Sequence, residues 1–341
     1  MKLNTFKGNP YEIGKQKGVI YKQNGLTLGW AGVENNPNIF KQQLKTYEKY
    51  YPEMIEEVKG IAKGACFDEK ETLNSFLTSE IYWYTNNLGI ERECTIFGVQ
   101  NKNGAFVGRN YDWHPSSERL WEIYKIRGLN KHSVVAITDM ATAPKPNPTK
   151  TFYYADDAIN DKGLFVGLTF STNDKWSFGI AAMHMVRFIA ERCKSVNEAI
   201  DIFKDVPICV PKNFFIADKE GRMAVVEHTS KKFKVLRPRN GVLIQTNHYI
   251  DPILAKEDKV LEKTPFHNTY LRYYEALQRI EFIKKDFKFK DITKILGHKS
   301  YIYQNFKDVK TIWSLGLDMM NQNYMVYWNL TGKVKNKKIK P

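Results

Sequence analysis

A thiol is among the few side chains that can attack an amide carbonyl near neutral pH, once something removes its proton. The chain carries four cysteines, Cys66, Cys94, Cys193 and Cys209. None is in a CxxC pair or at zinc-finger distance from a histidine, so neither a metal site nor a disulfide framework is indicated. A buried, inert thiol is the default expectation for each. Cys94 stands apart through its neighbours. Apolar runs at 95–100 and 105–110 flank Asn101-Lys102-Asn103-Gly104, and Asn-Gly between two such runs is a strong hairpin signal. Cys94 therefore opens one strand, and the stretch from Arg109 to Asp112 closes its partner. Antiparallel pairing returns Asp112 to the neighbourhood of Cys94. His114 and His248 suggest a Cys–His pair, but a papain-type nucleophile sits at a helix N-terminus, whereas Cys94 opens a strand.

The elements around this hairpin divide the chain. Residues 1–93 read as mostly helical: a helix starting at Pro10, a second across 41–64, and a third from a cap at Asp68 to about residue 84. Beyond Cys94, strands are expected at 152–155, 164–169, 214–217, 223–227, 234–236 and 242–245. An amphipathic helix is expected over 180–205, another over 270–284, and a last hairpin over 312–319 and 324–328. Strands and helices cluster rather than alternate, which predicts an α+β fold.

Composition narrows the function. At 341 residues, 43% hydrophobic, the chain can bury a large core. No apolar run is long enough for a membrane span, and residues 1–8 do not read as a secretory signal, so a cytoplasmic protein is expected. A net charge of +15 raises nucleic acid or an anionic membrane as partners, but the charge is spread along the chain and densest at Lys333, Lys335, Lys337, Lys338 and Lys340. A solvated basic surface is the preferred reading, with no nucleic-acid partner. A basic binding module without chemistry remains the rival from another class.

Several stretches resemble isopenicillin-N acyltransferase precursors (peptidase C45) and their relatives, the penicillin V acylases and bile-salt hydrolases. Gly8-Asn9-Pro10-Tyr11-Glu12-Ile13-Gly14-Lys15-Gln16-Lys17-Gly18 looks like the opening of the precursor. Glu56-Glu57-Val58-Lys59-Gly60-Ile61-Ala62-Lys63-Gly64-Ala65 matches a leader helix. Cys94-Thr95, Asn103-Gly104 and Gly108-Arg109-Asn110-Tyr111-Asp112-Trp113 look like the nucleophile hairpin. The stretch from Asn160 to Leu168 and then Thr246-Asn247-His248 follow in the same order.

The resemblance implies a four-layer αββα N-terminal-nucleophile (Ntn) hydrolase sandwich, with a leader or small subunit at 1–93 and a catalytic domain at 94–341. It implies autocatalytic cleavage between Glu93 and Cys94, after which the α-amine of Cys94, with a reference pKa of about 8, serves as the thiol's base. Asp112 would then hold that amine, Arg109 would stabilise thiolate or oxyanion, and the Asn247 side-chain amide would donate to the oxyanion. Trp113, His114, Thr169 and Tyr249 are the candidate substrate-binding residues. Thr169 stands where relatives often carry asparagine, and Asp308-Val309-Lys310-Thr311 where the acyltransferase has an arginine. Arg272 is the one cation near the arginine that serves the bile-salt hydrolases, with its register left open. The implied activity is linear amide hydrolysis of a small N-acyl compound, or acyl transfer to an amine, without a cofactor or metal. Homo-oligomerisation stays open.

Overall fold

The computed structural model describes residues 3–28, 37–86, 93–119, 121–139, 150–151, 154–173, 175–264 and 267–341. The segment before Cys94 is not purely helical. It opens with β1 (Asn4–Gly8), whose Phe6 is buried. α1 (Pro10–Gln23) follows from a capping box between Asn9 and Glu12. β2 is the two-residue strand Thr27–Leu28. The helix expected over 41–64 is two helices, α2 (Pro37–Tyr50) and α3 (Pro52–Ala65). Pro52 lacks an N–H and restricts Tyr51, so it starts a helix rather than continuing one. α4 (Glu69–Thr85) is capped as its sequence predicts, with Asp68 accepting from the Glu71 N–H at 2.8 Å.

The two stretches before Cys94 that carry the resemblance form one seam. A Cβ on Gly14 would lie 1.8 Å from the Glu57 carbonyl oxygen, and one on Gly64 would lie 2.2 Å from the Lys15 carbonyl oxygen. Only glycine lets α1 and α3 approach this closely.

β3 (Glu93–Asn101) and β4 (Gly104–Trp113) make the expected hairpin. Like β1 and β2, the strands β5 (Glu122–Gly128), β6 (Val134–Thr138) and β8 (Asp157–Asn160) are not expected from the sequence. β7 (Lys150–Thr151) pairs with β2. Of the strand expected at 152–155, residues 152 and 153 lie outside the described residues, and Tyr154 and Ala155 precede β8 without joining it. β9 (Phe165–Phe170), β10 (Lys212–Ala217), β11 (Met223–His228), β12 (Phe233–Leu236) and β13 (Val242–Gln245) fall where expected. The helix expected over 180–205 is α5 (Ala182–Arg192) and α6 (Val196–Asp205), because Ser195 caps a new start by accepting from the Glu198 N–H. α7 (Val260–Lys263), α8 (Thr269–Ile283), α9 (Phe289–Leu296), β14 (Lys310–Asp318) and β15 (Asn323–Trp328) follow. The lysine-rich tail is no loose end: it forms β16 (Lys335–Ile339).

Two sheets result. One runs β1-β5-β6-β8-β9-β10-β11-β12 and the other β13-β3-β4-β14-β15-β16. Between them lies a core containing Cys94, Ile96, Tyr111, Phe165, Phe215 and Val225. α1, α3, α4 and α5 cover the outer face of the first sheet. α8 and α9 cover that of the second through Phe97, Phe106, Ile280 and Ile292. The layers are therefore αββα. Cys193 and Cys209 are buried, as expected, but Cys66 is exposed, because it is the left-handed cap that ends α3.

The segment before Cys94 is welded to the rest by charge as well as by core. Lys17 on α1 lies 2.7 Å from Glu57 on α3, and Glu57 also binds Arg187 on α5 at 2.6 Å. All three are buried. Against the opposing effect of burial, Arg187 and Lys17 hold the Glu57 carboxyl down to about 2. Glu57→Ala removes the carboxylate that two buried cations share and leaves Arg187 to Glu191, 2.6 Å away; it is expected to cost about 3–5 kcal/mol, measured by urea unfolding. A loss under about 1 kcal/mol would show that the weld contributes little.

Candidate active site

In the β3–β4 ladder Cys94 stands opposite Tyr111, Ile96 opposite Arg109, and Glu93 opposite Asp112. Opposed side chains share a face and successive ones alternate. The Cys94 thiol, Arg109 and Tyr111 therefore point between the sheets, whereas Glu93, Thr95 and Asp112 point toward α8 and α9. Asp112 is thus near Cys94 as expected, but on the far face from the thiol.

The β13–β3 register, Val242 against Val99 through Gln245 against Ile96, brings Asn247 alongside Cys94 just past the end of β13. The Cys94 N–H donates to Asn247 Oδ1 at 2.7 Å. Asn247 Nδ2 donates to the Phe170 carbonyl at 3.0 Å, and its backbone N–H donates to Thr269 Oγ1 at 2.8 Å. The Asn247 side chain is therefore held at both ends. Its Nδ2, the expected oxyanion donor, serves the Phe170 carbonyl.

Arg272, left open by the sequence, lies within this group. From α8 its Nη2 donates to Asn247 Oδ1 at 2.9 Å, and its Nη1 donates to the Cys94 carbonyl and to Thr95 Oγ1. Nε donates to Asn268 Oδ1 at 2.6 Å and lies 3.5 Å from the Glu93 carboxylate. Arg272 is wholly buried.

Burial pushes the Cys94 thiol up to about 11; Arg109 and Arg272 pull it down while Asp112 and Asp157 push it up. Burial likewise lifts Asp112 to about 7, against the pull of Arg272 and the Thr311 hydroxyl, with Glu93 adding to the rise. Thr311 Oγ1 donates to Asp112 Oδ1 at 2.5 Å, and Asp112 Oδ2 is buried without a hydrogen bond.

A carboxyl raised from 3.8 to about 7 binds its proton more tightly in the folded chain than in the unfolded one. Its contribution to stability is fully present below about pH 4 and is lost as pH rises through about 7. Glu93, Asp157 and Glu227 are shifted in the same direction. In a Cys94→Ala background, folding stability between pH 4 and 7 is expected to gain up to about 4 kcal/mol less from acidification once Asp112 is replaced by Asn. Urea midpoints across that pH range check this, and an unchanged slope would refute it.

The other candidates are placed as follows. Thr169 on β9 donates to the Thr246 carbonyl at 2.6 Å, bracing the strand end behind Asn247. Trp113 lies in the inter-sheet core that contains Cys94. His114 Nδ1 pairs with Ser116 Oγ at 2.8 Å, and the Tyr249 hydroxyl donates to the His228 carbonyl at 3.1 Å. The structure thus gathers Cys94, Glu93, Asp112, Asn247, Arg109 and Arg272, with Thr169 braced behind. The polar contacts of His114 and Tyr249 lead elsewhere. Among the described residues no cluster of His, Cys, Asp and Glu could hold a metal, and no helix is long and apolar enough to cross a membrane.

Residues 99–332, well over half of the chain, match the family described as acyl-coenzyme A:6-aminopenicillanic acid acyl-transferase. The chain belongs to that family. The match begins within β3, just beyond Cys94. Among solved structures, a variant of conjugated bile acid hydrolase from Clostridium perfringens is similar over 72% of this chain and 97% of its own, at 16% identity and a TM-score of 0.51. Penicillin V acylase from Agrobacterium tumefaciens (16% identity, 72% and 86% coverage, TM-score 0.47) and the Caenorhabditis elegans ortholog of N-acylethanolamine-hydrolyzing acid amidase (15%, 67% and 93%, TM-score 0.48) are further matches. The fold of this acyl-transferase family member is the αββα sandwich of the Ntn hydrolases.

Sequence reading missed Asp157, Thr311 and Trp313 as neighbours of the site. A buried arginine needs a counter-charge, so Arg109 signalled that some carboxylate must face it. Nothing in the spacing said which one.

Proposed function

We propose that the chain is a self-cleaving cysteine Ntn hydrolase that cuts the linear amide bond of a small N-acyl compound through a thioester on Cys94. The supporting observation is the hydrogen bond from the Cys94 backbone nitrogen to Asn247 Oδ1, itself braced by Arg272. An asparagine that accepts from a strand N–H while a buried arginine donates to that same asparagine oxygen is unneeded for sheet pairing, but it suits a nitrogen that becomes an α-amine.

The peptide bonds are trans, so the carbonyl of Glu93 points opposite to the Cys94 N–H, toward β4. In the first step Sγ of Cys94 attacks that carbonyl carbon, the C–N bond breaks, and the nitrogen takes up the thiol proton. Water then hydrolyses the Glu93 thioester and frees the thiol. The new α-ammonium has more hydrogens to donate than the amide had, and the buried, unbonded Asp112 Oδ2 is an acceptor for one of them.

The need for cleavage follows from the thiol. At a pKa of about 11, about one Cys94 in 10⁴ is ionised at pH 7. A neighbouring amine removes that barrier by taking the proton during attack on substrate, then delivers it to the departing amine. Water releasing the acyl group completes hydrolysis, and an amine completes transfer. N-acyl amino acids, penicillins, conjugated bile acids and acyl-homoserine lactones are the candidate substrates, and Thr169, Trp113, His114 and Tyr249 are the candidate contacts.

Mass spectrometry after brief acid quenching with a panel of these compounds tests the reading. The chain beginning at Cys94 is expected to gain one acyl mass, removable by hydroxylamine. No adduct on Cys94 with any compound, alongside turnover, would overturn it.

A further inference from the structure

Arg109 crosses the space between the sheets, from β4 in one to β8 in the other. Its Nε donates to Asp157 Oδ1, and its Nη2 donates to the Leu168 carbonyl at 3.1 Å. The guanidinium lies 4.9 Å from the centre of the Tyr111 ring and 5.7 Å from that of Trp313. Those two rings are stacked at 3.9 Å. Asp157 is held in turn, its Oδ2 accepting from Trp313 Nε1 at 2.9 Å. Room for the carboxylate comes from Gly167, where a Cβ would lie 2.9 Å from Asp157 Oδ1. Every side of the guanidinium is thus fixed except Nη1, which is buried and has no hydrogen-bond partner. An orphaned N–H on a buried cation is costly, and such groups persist where they serve a reacting group.

We propose that Asp157, with Trp313, is a positioning residue that clamps Arg109 and keeps Nη1 free for negative charge that develops at the Cys94 thiol. The inference rests on the reading of Cys94 as nucleophile. Bidentate holding of a guanidinium by carboxylate and carbonyl fixes its plane, which a lone cation–π contact does not. The carboxylate also tempers the cation, so that Arg109 orients the thiolate without holding it as a stable, unreactive ion pair.

Charged groups acting on the thiol are Arg109, Arg272, Asp112 and Asp157, while Asp156 and Tyr111 act on Arg109. Removing the charge of Asp157 alone leaves Arg109 uncompensated, so the thiol should ionise at lower pH while catalysis falls. A merely structural role would not produce that opposition.

The test compares wild type, Asp157→Asn, Arg109→Met and the double variant, all as cleaved enzyme. Iodoacetamide labelling of Cys94 is followed by peptide mass against pH, because the exposed Cys66 also reacts. Asp157→Asn is expected to lower kcat about 10- to 100-fold and to move the Cys94 labelling profile to lower pH. Adding it to Arg109→Met is expected to lower kcat no further, since Asp157 then has nothing to position. An unmoved labelling profile, or additive losses in the double variant, would overturn the clamp. Should Asp157→Asn fail to fold, the double variant, which buries neither charge, decides alone through its kcat against Arg109→Met. Turnover surviving in Cys94→Ala would instead refute the nucleophile reading beneath it.

Discussion

Freshly purified protein is expected to give chains of 93 and 248 residues (341 − 93 = 248) under denaturing conditions, whereas Cys94→Ala stays whole at 39.7 kDa. The expectation rests on Cys94 being the one thiol of β3, with its N–H held by the Asn247 side chain that Arg272 braces. Loss of an attacking side chain costs about 10⁶ in kcat in a well-studied serine protease, and a comparable loss is expected here for cleavage and turnover together. Alanine at this buried position removes one sulfur atom, and the rest of β3 keeps its ladder, so folding should survive. Intact mass and circular dichroism on the same samples separate lost chemistry from lost structure. On native gel filtration the two wild-type chains are expected to travel together, since β1 pairs with β5 and Glu57 binds Arg187 across the cut. A single 39.7 kDa species for wild type under every condition tried would remove the enzymatic reading and favour the basic binding module.

Asn247→Ala is expected to lower kcat by about 10²–10³ with a much smaller change in KM. Asn247 Oδ1 is the acceptor shared by the Cys94 N–H and Arg272 Nη2, and its Nδ2 is the amide expected to meet the oxyanion once the strand end is free. Truncation leaves two buried donors unpaired and lets Arg272 swing toward Glu93. Steady-state kinetics on the cleaved enzyme checks this. A higher KM at unchanged kcat would mean that Asn247 binds substrate equally well before and during reaction. Cleavage should slow as well, because the same asparagine orients the scissile peptide.

Much of this site was legible locally. The hairpin between β3 and β4 is written in two apolar runs and a turn, and it alone brings Asp112 back to Cys94. Asp68 capping α4 is equally local. The glycines of α1 and α3 were visible as a motif, but their reason, the contact between the two helices, needed both in place. Short strands such as β6 and β8 escaped because, buried on both faces, they show no alternation. Helices 41–64 and 180–205 were read too long, since a periodic apolar face continues across a break that Pro52 or Ser195 makes.

What the sequence by itself determined is the strand that Cys94 opens, its returning aspartate and the order of the remaining motifs, because those depend on neighbours within about twenty residues. Tertiary structure alone decided that Arg272 reaches Cys94 and Asn247 from a helix, that Asp157 faces Arg109 across two sheets, and that Thr311 rather than an arginine meets Asp112. Each of these joins residues far apart in the chain. Their pairing is set by how layers pack and how buried charges find partners, and no spacing along the chain encodes it.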